Sequence, residues 1–113
     1  MPKRTDDHWF PTGKAGIALI IGHPIAQVRS PSAVNAELAR RRLDAVLVPM
    51  DIEPQNLATT FDALQGWRNC CGAIVTVPHK IAAAAMVARL SARAELVGAV
   101  NIVRRLTDLS RAT

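Results

Sequence analysis

A three-layer α/β/α fold, with a mostly parallel sheet between helical layers, is what three features of this 113-residue sequence predict. Short apolar runs alternate with segments that carry helix-start signals. The first run is nearly continuous, as in a strand buried on both faces. Each run feeds quickly into the next helical pattern. Right-handed crossovers between parallel strands then place helices on both faces of the sheet.

The elements follow in order. "AGIALIIG", residues 15–22, is the first strand, and "SPSAVNAELARRR", residues 30–42, follows a short loop as a helix. Ser30 is expected to cap that helix, and Pro31 suits its first position, where a missing N–H costs nothing and φ is already set. "DAVLVPM", residues 44–50, is a second strand, weakened near its end by Pro49. "EPQNLATTFDALQGW", residues 53–67, is a helix that stops about Gly66 and presents Leu57, Phe61 and Leu64 as its apolar face. "GAIVTV", residues 72–77, is a third strand. Pro78 opens the next helix, Ser91 caps a short further one, and "GAVNIV", residues 98–103, is a fourth strand.

Composition narrows the function classes. Half of the residues are apolar, enough for one modest core. The net charge of +5 raises the question of nucleic acid, but the basic residues are dispersed. Their one cluster, Arg40, Arg41 and Arg42, falls at a helix end, where positive charge complements the dipole. No nucleic-acid partner is expected. No apolar run approaches the roughly 18 to 20 residues that cross a bilayer, and the first residues carry no signal-peptide pattern. A soluble cytoplasmic protein without a membrane partner is the expectation. Cys70 and Cys71 are neighbours, poorly placed for a disulfide or zinc, and read as reduced and structural. His8, His23 and His79 are too scattered for a metal site.

In an α/β sheet, ligands gather at the carboxyl ends of the strands. Ser30, Thr76, Lys80 and Asn101 stand at or near such ends. Taken singly, Ser30 reads as a cap, Thr76 as an ordinary β-branched strand residue and Asn101 as a turn former. Lys80 alone reads as a solvated surface lysine, but it is placed against the dipole at a helix start, which suits a group that exchanges a proton. His79 beside it needs no catalytic role.

Together these segments resemble the shikimate dehydrogenase family. "GHPIAQVRSPSAVN" is similar to its amino-terminal motif, "GAIVTVPHK" to its Asn-Val-Thr-x-Pro-x-Lys segment, and "AELVGAVNIV" to its Ala-x-x-x-Gly-Ala-Val-Asn-Thr segment, in the same order and spacing. The resemblance covers residues 16–105 and implies a substrate-binding domain of that type. In the family it implies NADP-dependent interconversion of 3-dehydroshikimate and shikimate, or of a related cyclic hydroxy acid, within aromatic amino acid biosynthesis. It also implies that Ser30 binds the substrate carboxylate, that Thr76 and Asn101 bind ring hydroxyls, and that Lys80 is the catalytic group for the proton of the reacting hydroxyl.

Several departures accompany the resemblance. Val28 replaces a carboxylate-binding serine, Ile74 replaces the asparagine before Val-Thr, and Ile102 replaces the final threonine. The family's catalytic aspartate and Gly-rich cofactor domain have no match: Asp108 lies in a different context, and the six glycines form no G-x-G-x-x-G. The expected organisation is an amino-terminal tail over residues 1–13, the substrate-binding domain over 14–105 and a carboxy-terminal tail over 106–113, with no NADP bound by this chain alone. Such a truncated or divergent paralogue exposes apolar surface, which leaves it marginal, dimeric or aggregation-prone. The competing reading is a non-catalytic module that binds a small hydroxy acid or a protein partner.

Overall fold

The computed structural model describes residues 11–87, 94, 96, 98, 99 and 101–104. The helix expected after Ser91, Asp108 and the carboxy-terminal tail lie outside the described residues.

The apolar runs form strands β1 (Gly16–Gly22), β2 (Ala45–Asp51) and β3 (Cys70–Val75), with a short β4 (Ile102–Arg104). They make one sheet in the order β2-β1-β3-β4, with β1 parallel to both of its neighbours. β4 runs antiparallel to β3 and pairs Ile102 with Ile74. The mostly parallel sheet that was expected is present, with β4 as the antiparallel strand among the described residues. That strand also starts later than expected, because Gly98 takes a left-handed conformation at φ 75° and the chain turns there.

Alternation along β1 divides the core between the two faces of the sheet. Leu19 and Ile21 face one side with Ala73 and Val75, against Leu57 and Phe61 of helix α2 (Leu57–Gln65) and Ala83 of helix α3 (Lys80–Ala84). Ile20 faces the other side with Leu47 and Ile25, and Ala18, Val28 and Ile74 pack around them. Completely burying a side chain such as Leu19 or Leu57 stabilises the fold by roughly 1.5 to 3 kcal/mol. The apolar face expected of α2 is present: Leu57 and Phe61 are buried, and Leu64 packs against them.

Helix α1 (Ser30–Arg40) lies beside β2, the outermost strand on its side of the sheet. Asn35 of α1 donates through Nδ2 to the Leu47 carbonyl (2.9 Å) and accepts the Leu47 N–H at Oδ1 (2.8 Å). One side chain thus satisfies both outward-facing backbone groups of an edge residue, which would otherwise template pairing with another chain. Pro49, further along the same strand, is exposed and has no N–H to offer.

Two helix starts differ from expectation. Ser30 does not cap α1: the preceding Arg29 already has near-helical angles (φ −108°, ψ −16°), Ser30 is the first helical residue, and no side chain caps the end. Pro78 does not open α3, because the His79 N–H bonds back to the Thr76 carbonyl (3.0 Å), closing a turn before the helix begins at Lys80. α1 ends at Arg40, two residues early, in a left-handed stop: Arg42 has φ 55°, and the Leu43 N–H reaches the Leu38 carbonyl (3.0 Å). Cys70 and Cys71 are both free thiols within β3; Cys70 is buried in the core and Cys71 is exposed, so a packing role belongs to Cys70 alone.

Candidate functional site

Three parallel strands bring their carboxyl ends to one edge, with Gly22 of β1 opposite Asp51 of β2 and Ile21 opposite Val75 of β3. Each predicted site residue stands at this edge or on the segment leaving it. Thr76 is the first residue past β3, and its N–H donates to the Ile21 carbonyl (2.9 Å). Its methyl group occupies the space above Gly22: a Cβ built there would lie 2.5 Å from Thr76 Cγ2 and 3.2 Å from the Val77 carbonyl oxygen. Only glycine at position 22 lets the two strand ends close in this way.

Asn101 immediately precedes β4, and its carbonyl accepts the Val75 N–H (2.8 Å), so Thr76 and Asn101 flank the end of β3. Lys80 follows one turn after Thr76, exposed at the first position of α3. Ser30, the first residue of α1, follows the loop that leaves this edge after β1 and is exposed. That loop is held to the sheet by Ile25 and Val28, which pack with Ile74, and by the His23 N–H, which donates to the Val77 carbonyl (3.1 Å). Among the described residues, the side chains of Ser30, Thr76, Lys80 and Asn101 make no hydrogen bond or ion pair. Ser30 is not occupied by the capping bond that offered its structural explanation.

The three departures from the family pattern also converge. Val28 and Ile74 pack in one apolar cluster, and Ile102 is the cross-strand partner of Ile74, 66% exposed. The edge therefore combines four unengaged polar side chains with an apolar wall.

Sequence reasoning missed a second layer of polar contacts behind these residues. His23 Nδ1 lies 2.7 Å from Asp51 Oδ1, and the Ile25 N–H donates to the other carboxylate oxygen (3.4 Å). The His23 hydrogen bond holds the Asp51 carboxyl below the usual carboxylate range. His79, 1% exposed, lies with Nε2 2.6 Å from the Ile52 carbonyl oxygen. An adjacent-strand reading of β1 and β2 was the available signal for the first pair, since His23 and Asp51 both follow from the strand ends. A separate open groove of about 360 Å³, lined by Met50, Thr59, Thr60, Leu64 and Trp67 among others, shares none of the four candidate residues.

Comparison with known proteins gives a consistent picture. The profile of the shikimate dehydrogenase substrate binding domain matches residues 20–103. The shikimate dehydrogenase (NADP(+)) of Crocosphaera subtropica is 38% identical over 94 residues, which is 83% of this chain and 32% of that protein. That of Geobacter metallireducens is 40% identical over 97 residues, 86% of this chain and 34% of that protein. Among solved structures, a shikimate dehydrogenase in complex with NADP+ superposes with a TM-score of 0.78 at 32% identity, covering 84% of this chain and 33% of the other. The shikimate 5-dehydrogenase of Listeria monocytogenes, in complex with shikimate and NAD, gives 0.75 at 33% identity, covering 86% and 33%. The chain spans about a third of the length of these relatives.

Proposed function

Because this chain belongs to the shikimate dehydrogenase family, as its substrate-binding domain, we propose that its strand-end edge binds shikimate or a related cyclic hydroxy acid. Ser30 receives the carboxylate, Thr76 and Asn101 receive ring hydroxyls, and Lys80 exchanges the proton of the hydroxyl that reacts. The observation that carries this reading is the arrangement of four unengaged polar side chains along one sheet edge. Shared strand ends supply the orientation that such a reaction needs.

The activity proposed for the whole protein is NADP-linked interconversion of 3-dehydroshikimate and shikimate in the cytoplasm. This chain's part in it is to hold the acid and handle its proton. The described strand-to-helix turns do not fit a dinucleotide. Residues 23–29, 52–56 and 76–79 contain no glycine, and the space above Gly22 is filled by Thr76. A pyrophosphate needs a close backbone approach at such a turn.

The test is a titration of the isotope-labelled chain with shikimate, followed by amide chemical shifts. The expected result is that shifts concentrate on Ser30, Thr76, Lys80 and Asn101. Shifts confined to Met50, Thr60 and Trp67 would assign the ligand to the groove along α2, and no shifts at saturating shikimate would remove the reading altogether.

A further inference from the structure

Helix α3 is too short to place itself. It spans five residues, Lys80–Ala84, and has no side-chain cap. A single helical turn has almost no stability of its own, so its position is set by what holds it to the rest of the molecule. Ala84 packs against the core, and two stronger anchors stand beside it. Ala83, completely buried in the core, supplies one methyl group. His79 supplies a whole buried ring with a directed hydrogen bond to the Ile52 carbonyl. Since a carbonyl can only accept, Nε2 carries the hydrogen in this contact.

The partner of that bond matters as much as its donor. Ile52 uses its own N–H to bond the Gly22 carbonyl (3.0 Å), so one residue bridges the turn after β1 and the turn after β3. Its neighbour Asp51 holds the β1–α1 loop through His23 and the Ile25 N–H. The segment 51–52 is therefore a hub: one histidine fastens it to the loop that leads to Ser30, and the other fastens it to the helix that begins with Lys80.

We propose that His79 is the positioning residue for Lys80: its bond to Ile52 fixes the first turn of α3 relative to the β1–α1 loop, and so fixes the gap across which Lys80 and Ser30 face a common ligand. The proposal rests on the roles given to Lys80 and Ser30 above. It adds a residue that touches no ligand and acts through the spacing of those that do.

The test uses the full chain with His79→Phe, which keeps the ring and loses the donor, and His79→Asn, whose donor is too short to reach Ile52. His79→Gln, whose amide can restore the bond, is the rescue. Two readouts are taken: hydrogen exchange of the Ala83 amide, which bonds to the His79 carbonyl (2.8 Å), against that of the Thr76 amide, which bonds to the Ile21 carbonyl of β1 (2.9 Å), and the Kd for shikimate. In the Phe and Asn variants, Ala83 exchange should rise about tenfold with Thr76 unchanged, and the Kd should rise about fivefold. The Gln variant should recover most of both. A folded Phe or Asn variant with unchanged Kd or unchanged Ala83 exchange overturns the proposal. So does equal loss of protection at Ala83 and Thr76, which would mark a purely structural histidine. If the unaltered chain binds no shikimate, the functional reading fails, and the exchange pattern alone decides whether His79 positions α3.

Discussion

In the proposed function, specificity turns on Val28 and Ile74. In the family pattern their places are polar; here they pack against each other's neighbours Ile20, Ile25 and Leu47. A hydroxy acid held at this edge meets apolar surface where it would otherwise find hydrogen-bond partners. Val28→Ser with Ile74→Asn should therefore tighten shikimate binding by about 1 to 3 kcal/mol per restored contact, with a smaller gain when the carboxylate is replaced by an amide. The same changes remove partly buried methyl groups, so the melting temperature should fall as affinity rises. A folded double variant that binds no tighter would show that these positions do not face the ligand. Ser30, Thr76, Lys80 and Asn101 were singled out in the sequence by their family-like segments, and the structure places Thr76 and Asn101 on either side of the end of β3. The contacts of His23 and His79 were not legible there, since their partners lie 28 and 27 residues away and one is a backbone carbonyl with no sequence signature.

Among the elements, α1 carries the clearest electrostatic signal. Glu37 accepts from Arg40 Nη2 (2.6 Å) and Nε (2.9 Å) and from Arg41 Nε (2.7 Å), and these hydrogen bonds, Arg40's first, lower its carboxyl to about 2. A value depressed in the folded state contributes stability that is present above the ordinary carboxylate value of 4.5 and is lost as pH falls toward 2. Asp51, lowered by His23, adds a loss of the same sign. Urea midpoints measured between neutral pH and pH 2.5 should fall less steeply for Glu37→Gln than for the unaltered chain, and the difference should shrink in high salt because the group is exposed. Parallel pH profiles would contradict this. The cluster of arginines marked the end of α1 in the sequence to within two residues. Its start was misread because Ser-Pro fits a cap and a first turn equally well, and the angles of Arg29 decide between them. The direction of β4 was illegible for a similar reason: three residues carry no periodicity, and their orientation is set by the turn at Gly98 and by pairing with Ile74.

At the scale of the molecule, one central strand organises everything. β1 supplies the residues buried on both faces and leads toward Ser30, and its parallel neighbour β3 leads into Thr76 and Lys80. Val77, Ile81 and Ile102, each more than 60% exposed, belong to the segments at that edge. No described helix is long and apolar enough to cross a membrane. Lys80 and Lys14 make the decisive pair, because Lys14 lies just before β1, at the opposite edge of the sheet and about 20 Å away by strand length. Calorimetric titration with shikimate should show binding weakened about tenfold by Lys80→Ala, the loss expected for a hydrogen bond to a charged group, and unchanged by Lys14→Ala. Equal effects from the two substitutions, or none from either, would contradict the account.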